Sequence, residues 1–298
     1  MEDGKPSQTA LLVAMLRARH YMDEPEPKIL RDSLAATLAG APGEAHVHGY
    51  LDQIHTAFSG LSDAETATLF VRQLEHSVCI RQRLLEEELA IAKAAGATQL
   101  VVLGAGLDST AYREFDLCDG LTVFEVDHPA SQKWKQMRLV DSGVDIPDNV
   151  SYVPFDFENT TLADALEAGG VSRDEITVFS WMGVQMYLTD DAVKGTLAVM
   201  AGFPPGSFVV MDFIQPDYDT ASKTEINSVE DLRKIVSKMS EPFKSQYSTQ
   251  ELAARFAKAG FSSSEFPTVG EFADRYLGGD KARLQMTPGA QYLAIGRV

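Results

Sequence analysis

Cysteine is nearly absent: the 298 residues hold only Cys79 and Cys118. These lie far apart and fit no metal or redox spacing, so a reducing compartment, the cytoplasm, is the expectation. Positive charge is also scarce. Twenty-six Lys and Arg stand against 43 Asp and Glu, a formal net charge of −17. Such a field repels phosphate backbones and anionic membranes, so neither nucleic acid nor a membrane is expected as a partner. No apolar run approaches the roughly 18 residues needed to span a bilayer. Charges interrupt "QTALLVAMLRARHYM", which leaves no signal-peptide core there. His46 and His48 stand close together without a third ligand, and no metal is expected.

What is present is an alternation of apolar runs and amphipathic stretches. Residues 7–40 read as helical with a break near "DEPEPK", and residues 41–61 read as mixed. Ser62 and Glu65 form an S-x-x-E capping box, from which a long helix runs to about Ala95 and stops at Gly96. Then come a strand at "ATQLVVL", a strand at "LTVFEVD", a helix opening on Pro129, a strand at "VSYVPFDF", and a short helix at "TLADALEAGG". A strand at "EITVFSWMGV", a helix at "TDDAVKGTLAVMAGF" and a strand at "GSFVVMDFI" follow. Ser248 and Glu251 make a second capping box, and "SSSEFPT" and "AQYLAIGRV" are closing strands. Strands separated by helices imply an α/β fold, a doubly wound and mostly parallel Rossmann-like sheet. Residues 1–95 read as a helical N-terminal cap and 96–298 as the core, with ligands expected at the carboxyl ends of the strands. The aromatics Phe203, Phe208 and Phe213 read as core.

The chemistry concentrates in "LVVLGAGLDSTAYREFDLCDGLTVFEVDHP". Gly104 and Gly106 follow a strand directly and let the backbone turn sharply beneath a ligand. Asp127 ends the next strand, where a carboxylate can accept hydrogen bonds from both ribose hydroxyls of a nucleoside; a helix cap is the alternative. A dinucleotide loop wants glycine or alanine at 109, where Ser109 stands, and Asp108 is ill placed beside a pyrophosphate. S-adenosylmethionine carries no phosphate and has a cationic sulfonium, which suits nearby acids.

"VVLGAGLDSTAYR" followed by "FEVDHP" resembles the leucine carboxyl methyltransferase and polyketide O-methyltransferase family of S-adenosylmethionine enzymes. The turn, Arg113, Asp127 and Pro129 carry the resemblance. "TALLVAMLRA", "LRDSLA", "IRQRLLEEEL" and "FSWMGVQMYLTDDAV" extend it across most of the chain. The resemblance implies that Gly104, Ala105 and Gly106 line the cofactor, that Asp127, with His128 beside it, binds the ribose, and that Asp156 and Phe157 meet the adenine. It further implies that Arg81 pairs with the methionyl carboxylate, with Arg17 a second candidate, and that the stretch from Ser180 and Trp181 to Gly183 faces the ammonium. Many members have a glutamate where Met182 stands here. The implied activity is O-methylation of a small molecule, a secondary metabolite such as a polyketide.

A carboxylate acceptor needs no base, whereas a hydroxyl benefits from one. Arg17, His20, Tyr21, Met182 and Tyr187 are substrate-side candidates; no catalytic base follows from the spacing, and neither does an oligomeric state. A nicotinamide oxidoreductase and a non-catalytic cofactor-binding subunit are the alternatives. The first 24 residues are expected to act as a lid whose loss leaves the sheet folded.

Overall fold

The computed structural model describes residues 7–59, 64–155, 161–216, 242–280, 283–284 and 292–298. The first helix, α1 (Gln8–Asp23), starts where the Ser7 hydroxyl accepts a hydrogen bond from the Ala10 amide. Helices α2 (Ala35–Ala39), α3 (Glu44–Ser59) and the 31-residue α4 (Ala64–Ala94) follow. Residues 44–59 are therefore one regular helix rather than a mixed segment. Helix α4 ends as expected at Gly96, whose φ of +102° turns the chain so that the Ala97 amide returns to the Ala92 carbonyl. Ser62, half of the expected capping box at the start of α4, lies outside the described residues.

Strands and helices then alternate: β1 (Gln99–Leu103), the short α5 (Thr110–Arg113) and α6 (Phe115–Cys118), β2 (Thr122–Asp127), α7 (Pro129–Asp141), β3 (Val150–Pro154), α8 (Leu162–Ala168) and β4 (Thr177–Trp181). A 3-10 turn at Gln185–Tyr187, α9 (Asp190–Met200) and β5 (Phe208–Phe213) come next. The chain closes with α10 (Thr249–Ala259), β6 (Ser263–Glu265), α11 (Val269–Leu277) and β7 (Tyr292–Arg297). The Ser248–Glu251 capping box opens α10 as the spacing predicts, and an unforeseen second box, Thr268–Glu271, opens α11. The sheet has seven strands in the order β3-β2-β1-β4-β5-β7-β6, and β7 alone runs against the rest. The chain steps outward from β1 to β3, then crosses to β4 on the other side of β1. A crevice opens at that reversal, beyond the carboxyl ends of β1 and β4.

Successive side chains along each strand feed opposite faces. Leu100, Val102, Val123, Val178, Phe208, Val210, Leu293 and Ile295 join one core with Leu12, Met15 and Leu16 of α1 and Leu84, Leu85 and Leu89 of α4. Val101, Leu103, Phe124, Val126, Phe179, Trp181, Val209 and Met211 form the other with α8, α9 and α10. Phe203, Phe208 and Phe213 are all buried, as a core reading requires. The helical cap thus shares one continuous core with the sheet. Its buried apolar side chains on α1 argue against the expectation that the sheet folds without residues 1–24.

Polar contacts tie the cap down as well. Arg283, near the chain's end, donates to Glu24 and to the carbonyls of Pro25 and Pro27. Among the described residues, no helix is long and apolar enough to cross a membrane.

Candidate functional site

The glycine turn sits where the crevice opens. Past Leu103 the amides of Gly104 and Ala105 both reach the Val126 carbonyl, at 2.8 and 3.3 Å. Gly104 has φ +68° and Gly106 φ +46°, values that side-chain-bearing residues rarely adopt. A Cβ on Gly104 would collide with Cγ2 of Val184, so the valine beyond β4 seats directly on the turn beyond β1.

Asp127 closes the turn from β2. Its Oδ2 accepts from the Gly106 amide at 2.5 Å and its Oδ1 from the His128 amide at 2.6 Å. Burial raises its pKa from the usual carboxylate value, against the pull of those two amides and the charge of Lys135. The helix-cap role weighed for Asp127 falls instead to His128, whose Nδ1 accepts from the Ala130 amide at 3.2 Å. An ionised carboxylate has about four acceptor positions. Two are used within the protein, which leaves two for the vicinal hydroxyls of a ribose.

On the other side of the crevice, β4 ends at Trp181 and the chain turns at Gly183, φ +70°. The Gly183 amide donates to Oδ1 of Asp212 at 2.6 Å. Oδ2 of Asp212 accepts from Nη1 of Arg81 at 2.5 Å, a buried ion pair between α4 and β5. The Arg81 guanidinium also lies against Gly183, 3.2 Å from where a Cβ would stand. Ser180 and Trp181 are buried within the sheet, and Met182 is partly buried against the cap-side core. Among the described residues, the Trp181 Nε1 has no hydrogen-bond partner. Asp212 escaped the sequence reading; its signal was an acid inside the otherwise apolar run "FVVMDF".

The other candidates divide. Arg17 is buried, pairs with Asp32 at 3.3 Å and donates from Nη2 to the Leu107 carbonyl at 2.6 Å. It grips the glycine turn from behind. His20 is fully buried away from the turn; its Nε2 accepts from the Leu30 amide at 3.3 Å and its Nδ1 faces Glu75 at 3.6 Å. Tyr21 is exposed, with the Lys28 ammonium over its ring. Tyr187 is partly buried against the Phe243 ring. The structure therefore brings together Arg81, Gly104–Gly106, Asp127, His128 and the turn past Met182, with Arg17 behind them. It does not bring His20 or Tyr21 to that group. Asp156 and Phe157 lie outside the described residues.

His20, Glu24, Glu75 and His76 offer ligand atoms within 4.8 Å of one another. The carboxylates are already held, Glu75 by Arg19 and Glu24 by Arg283. Because Nε2 of His20 accepts the Leu30 amide, its neutral ring presents a proton, not a lone pair, to the group. The cluster is an ion-pair network binding α1 to α4.

The donor set can be tested against a nucleoside cofactor. Asp108 lies at the start of α5, where a pyrophosphate would have to sit, and its Oδ1 accepts the Thr110 amide at 2.8 Å. Burial opposes its charge, yet Lys135, Arg17 and that amide hold its pKa below the usual value. A fixed anion there disfavours phosphate. It is compatible with a cofactor whose charges are a sulfonium, an ammonium and a carboxylate.

The family model for leucine carboxyl methyltransferase matches residues 10–201. The chain belongs to that family. A Bacillus subtilis (strain 168) protein named "Putative S-adenosyl-L-methionine-dependent methyltransferase YktD" is 29% identical over 306 residues, covering 98% of each chain. Among solved structures, a DUF574 family protein from Streptomyces avermitilis MA-4680 superposes with a TM-score of 0.55 at 12% identity, covering 99% of this chain and 98% of that one. An O-methyltransferase family protein from Burkholderia thailandensis reaches 0.50 at 13% identity, over 95% of this chain and 75% of that one. These two likenesses concern the fold. As a leucine carboxyl methyltransferase family member, the chain is an S-adenosylmethionine-dependent methyltransferase. The nicotinamide oxidoreductase and non-catalytic alternatives are thereby set aside. Asp127 stands at one end of the crevice, and Arg81 and Asp212 border the opposite end.

Proposed function

We propose that the enzyme methylates an oxygen, carboxyl or hydroxyl, of a small molecule, in secondary metabolism such as that of polyketides, in the cytoplasm. The observation that carries this reading is the match to a carboxyl methyltransferase family over residues 10–201, the span that holds the glycine turn, Asp127 and the β4 turn. The cofactor supplies a methyl group on a sulfonium, which leaves as a neutral thioether. The protein's tasks are alignment and exclusion of water. Asp127 fixes the sugar, the Gly104–Gly106 and Gly183 turns let backbone approach the reacting atoms, and Val184 locks the two turns against each other. Beyond β5, the amides of Lys244 and Ser245 reach the Met186 carbonyl and Phe243 meets Tyr187. That segment stands beside the 3-10 turn past β4.

The test is incubation with methyl-labelled S-adenosylmethionine and a panel of carboxylic acids, phenols, alcohols, amines and a leucine-terminated peptide. A carboxyl product is an ester and releases labelled methanol in mild base; a hydroxyl product is a base-stable ether. Label found only on amines or carbon would overturn oxygen as the acceptor, and label found only on the peptide would overturn the small-molecule reading.

A further inference from the structure

Asp212 is fully buried near the end of β5, and both its carboxylate oxygens face the crevice's β4 side. One holds Nη1 of Arg81 at 2.5 Å and the other holds the Gly183 amide at 2.6 Å. Burying a carboxylate is costly unless it is paired and hydrogen-bonded, and here it is both. The Arg81–Asp212 pair and the Gly183 amide join three elements, α4, the β4 turn and β5. The β4–β5 register places Trp181 opposite Met211, so Asp212 is the β5 residue level with position 182.

The crevice then has two chemically distinct ends. Asp127 marks the sugar end, between β1 and β2. Arg81 and Asp212 mark the other, with one positive and one negative charge side by side. The cofactor has the same asymmetry, a nucleoside at one end and a zwitterionic amino acid at the other. We propose that Asp212 is a positioning residue that sets Arg81 and the Gly183 turn to receive the amino-acid end of the cofactor. This rests on the cofactor assignment above. Asp212 acts through Arg81 and the turn, and its charge offsets that of the guanidinium so that a zwitterion meets a balanced pair.

The test compares two ligands by calorimetry. S-adenosylhomocysteine carries the amino-acid end; 5′-methylthioadenosine keeps adenine, ribose and sulfur but lacks it. Asp212→Asn retains an oxygen for the Gly183 amide and removes the charge. It should weaken S-adenosylhomocysteine at least tenfold and leave 5′-methylthioadenosine within twofold of the unaltered protein. Arg81→Met, which breaks the pair from α4, should give the same selective loss, so the idea stays testable should one variant melt early. Equal weakening of both ligands would reduce Asp212 to a structural role and overturn the proposal, as would no change in either. Failure of the unaltered protein to bind S-adenosylhomocysteine is a different outcome, and it would strike at the cofactor assignment itself.

Discussion

Gly104→Ala should damage the protein in two separable ways. The residue has φ +68°, a left-handed conformation that costs a Cβ-bearing residue about 1–2 kcal/mol. The added methyl would also enter the space held by Cγ2 of Val184, and overpacking of that kind costs about 1–3 kcal/mol. The two effects have different origins, so the expected loss is about 2–5 kcal/mol, a large share of the roughly 5–15 kcal/mol that holds a domain folded. Trimming the valine separates them. In Gly104→Ala/Val184→Ala the steric part should disappear and the backbone part remain, making the double variant more stable than Gly104→Ala alone. Urea unfolding followed by tryptophan fluorescence, with all four proteins of the cycle, reads this as a shift in midpoint at constant slope. If Gly104→Ala unfolds within 0.5 kcal/mol of the unaltered protein, or if the double variant is simply the sum of its parts, the seating of Val184 on the turn is not what the geometry describes.

Three further outcomes are expected. Asp127→Ala should weaken S-adenosylhomocysteine by about 2–3 kcal/mol, since hydrogen bonds to a charged acceptor are worth about 1.5–3 kcal/mol; an unchanged dissociation constant in calorimetry would leave Asp127 with only its contacts to Gly106 and His128. Burial lowers the His76 pKa to about 4, against the raising pull of Glu75 and Glu24 and with His20 and Arg72 lowering it further. The unfolded chain binds that proton from about pH 6.5 downward and the folded one does not, so stability should fall between pH 6.5 and 4 by up to roughly 3 kcal/mol, and His76→Gln should flatten the slope of stability against pH in that window. Removal of residues 1–24 takes Leu12, Met15 and Leu16 out of the shared core, a loss of roughly 5–9 kcal/mol at 1.5–3 per side chain; circular dichroism should show a chain without a cooperative melt, and a folded truncation product would restore the idea of a detachable lid.

Much of the sheet was legible because a strand covered on both faces shows as an apolar run, as in "QLVVL" and "FVVMDF". The direction of β7 was not, since nothing in "YLAIGR" records which neighbour it pairs with. Helix α3 was missed because "EAHVHGYLDQIHTAFS" mixes histidines and a glycine into a weak stripe, while α11 had a usable signal in Thr268 and Glu271, three positions apart. Within the site, the Gly104–Gly106 turn and Asp127 were readable because 21 residues of strand, turn and helix return the chain to the same place. Asp212 lies 131 residues from Arg81, and no local spacing announces such a pair. His20 and Tyr21 read as candidates because they are chemically capable, but the burial of His20 against Glu75 depends on a neighbour far along the chain, and Tyr21 lies exposed beside Lys28.

The core that receives α1 also contains Phe272, Tyr276, Leu284, Leu293 and Ile295. Helix α1 packs chiefly on α2, α3 and α4, made soon after it, and joins a core that is finished by β7 and pinned by Arg283. At roughly 5–20 residues per second, some 270 further residues take tens of seconds to arrive. Throughout that interval α2, α3 and α4 can already shelter part of α1, while the face the cap offers to the sheet waits for the strands. Premature termination before β7 should leave the edge of β5 open and the cap-side core unfinished, and so yield an aggregate rather than a shorter enzyme.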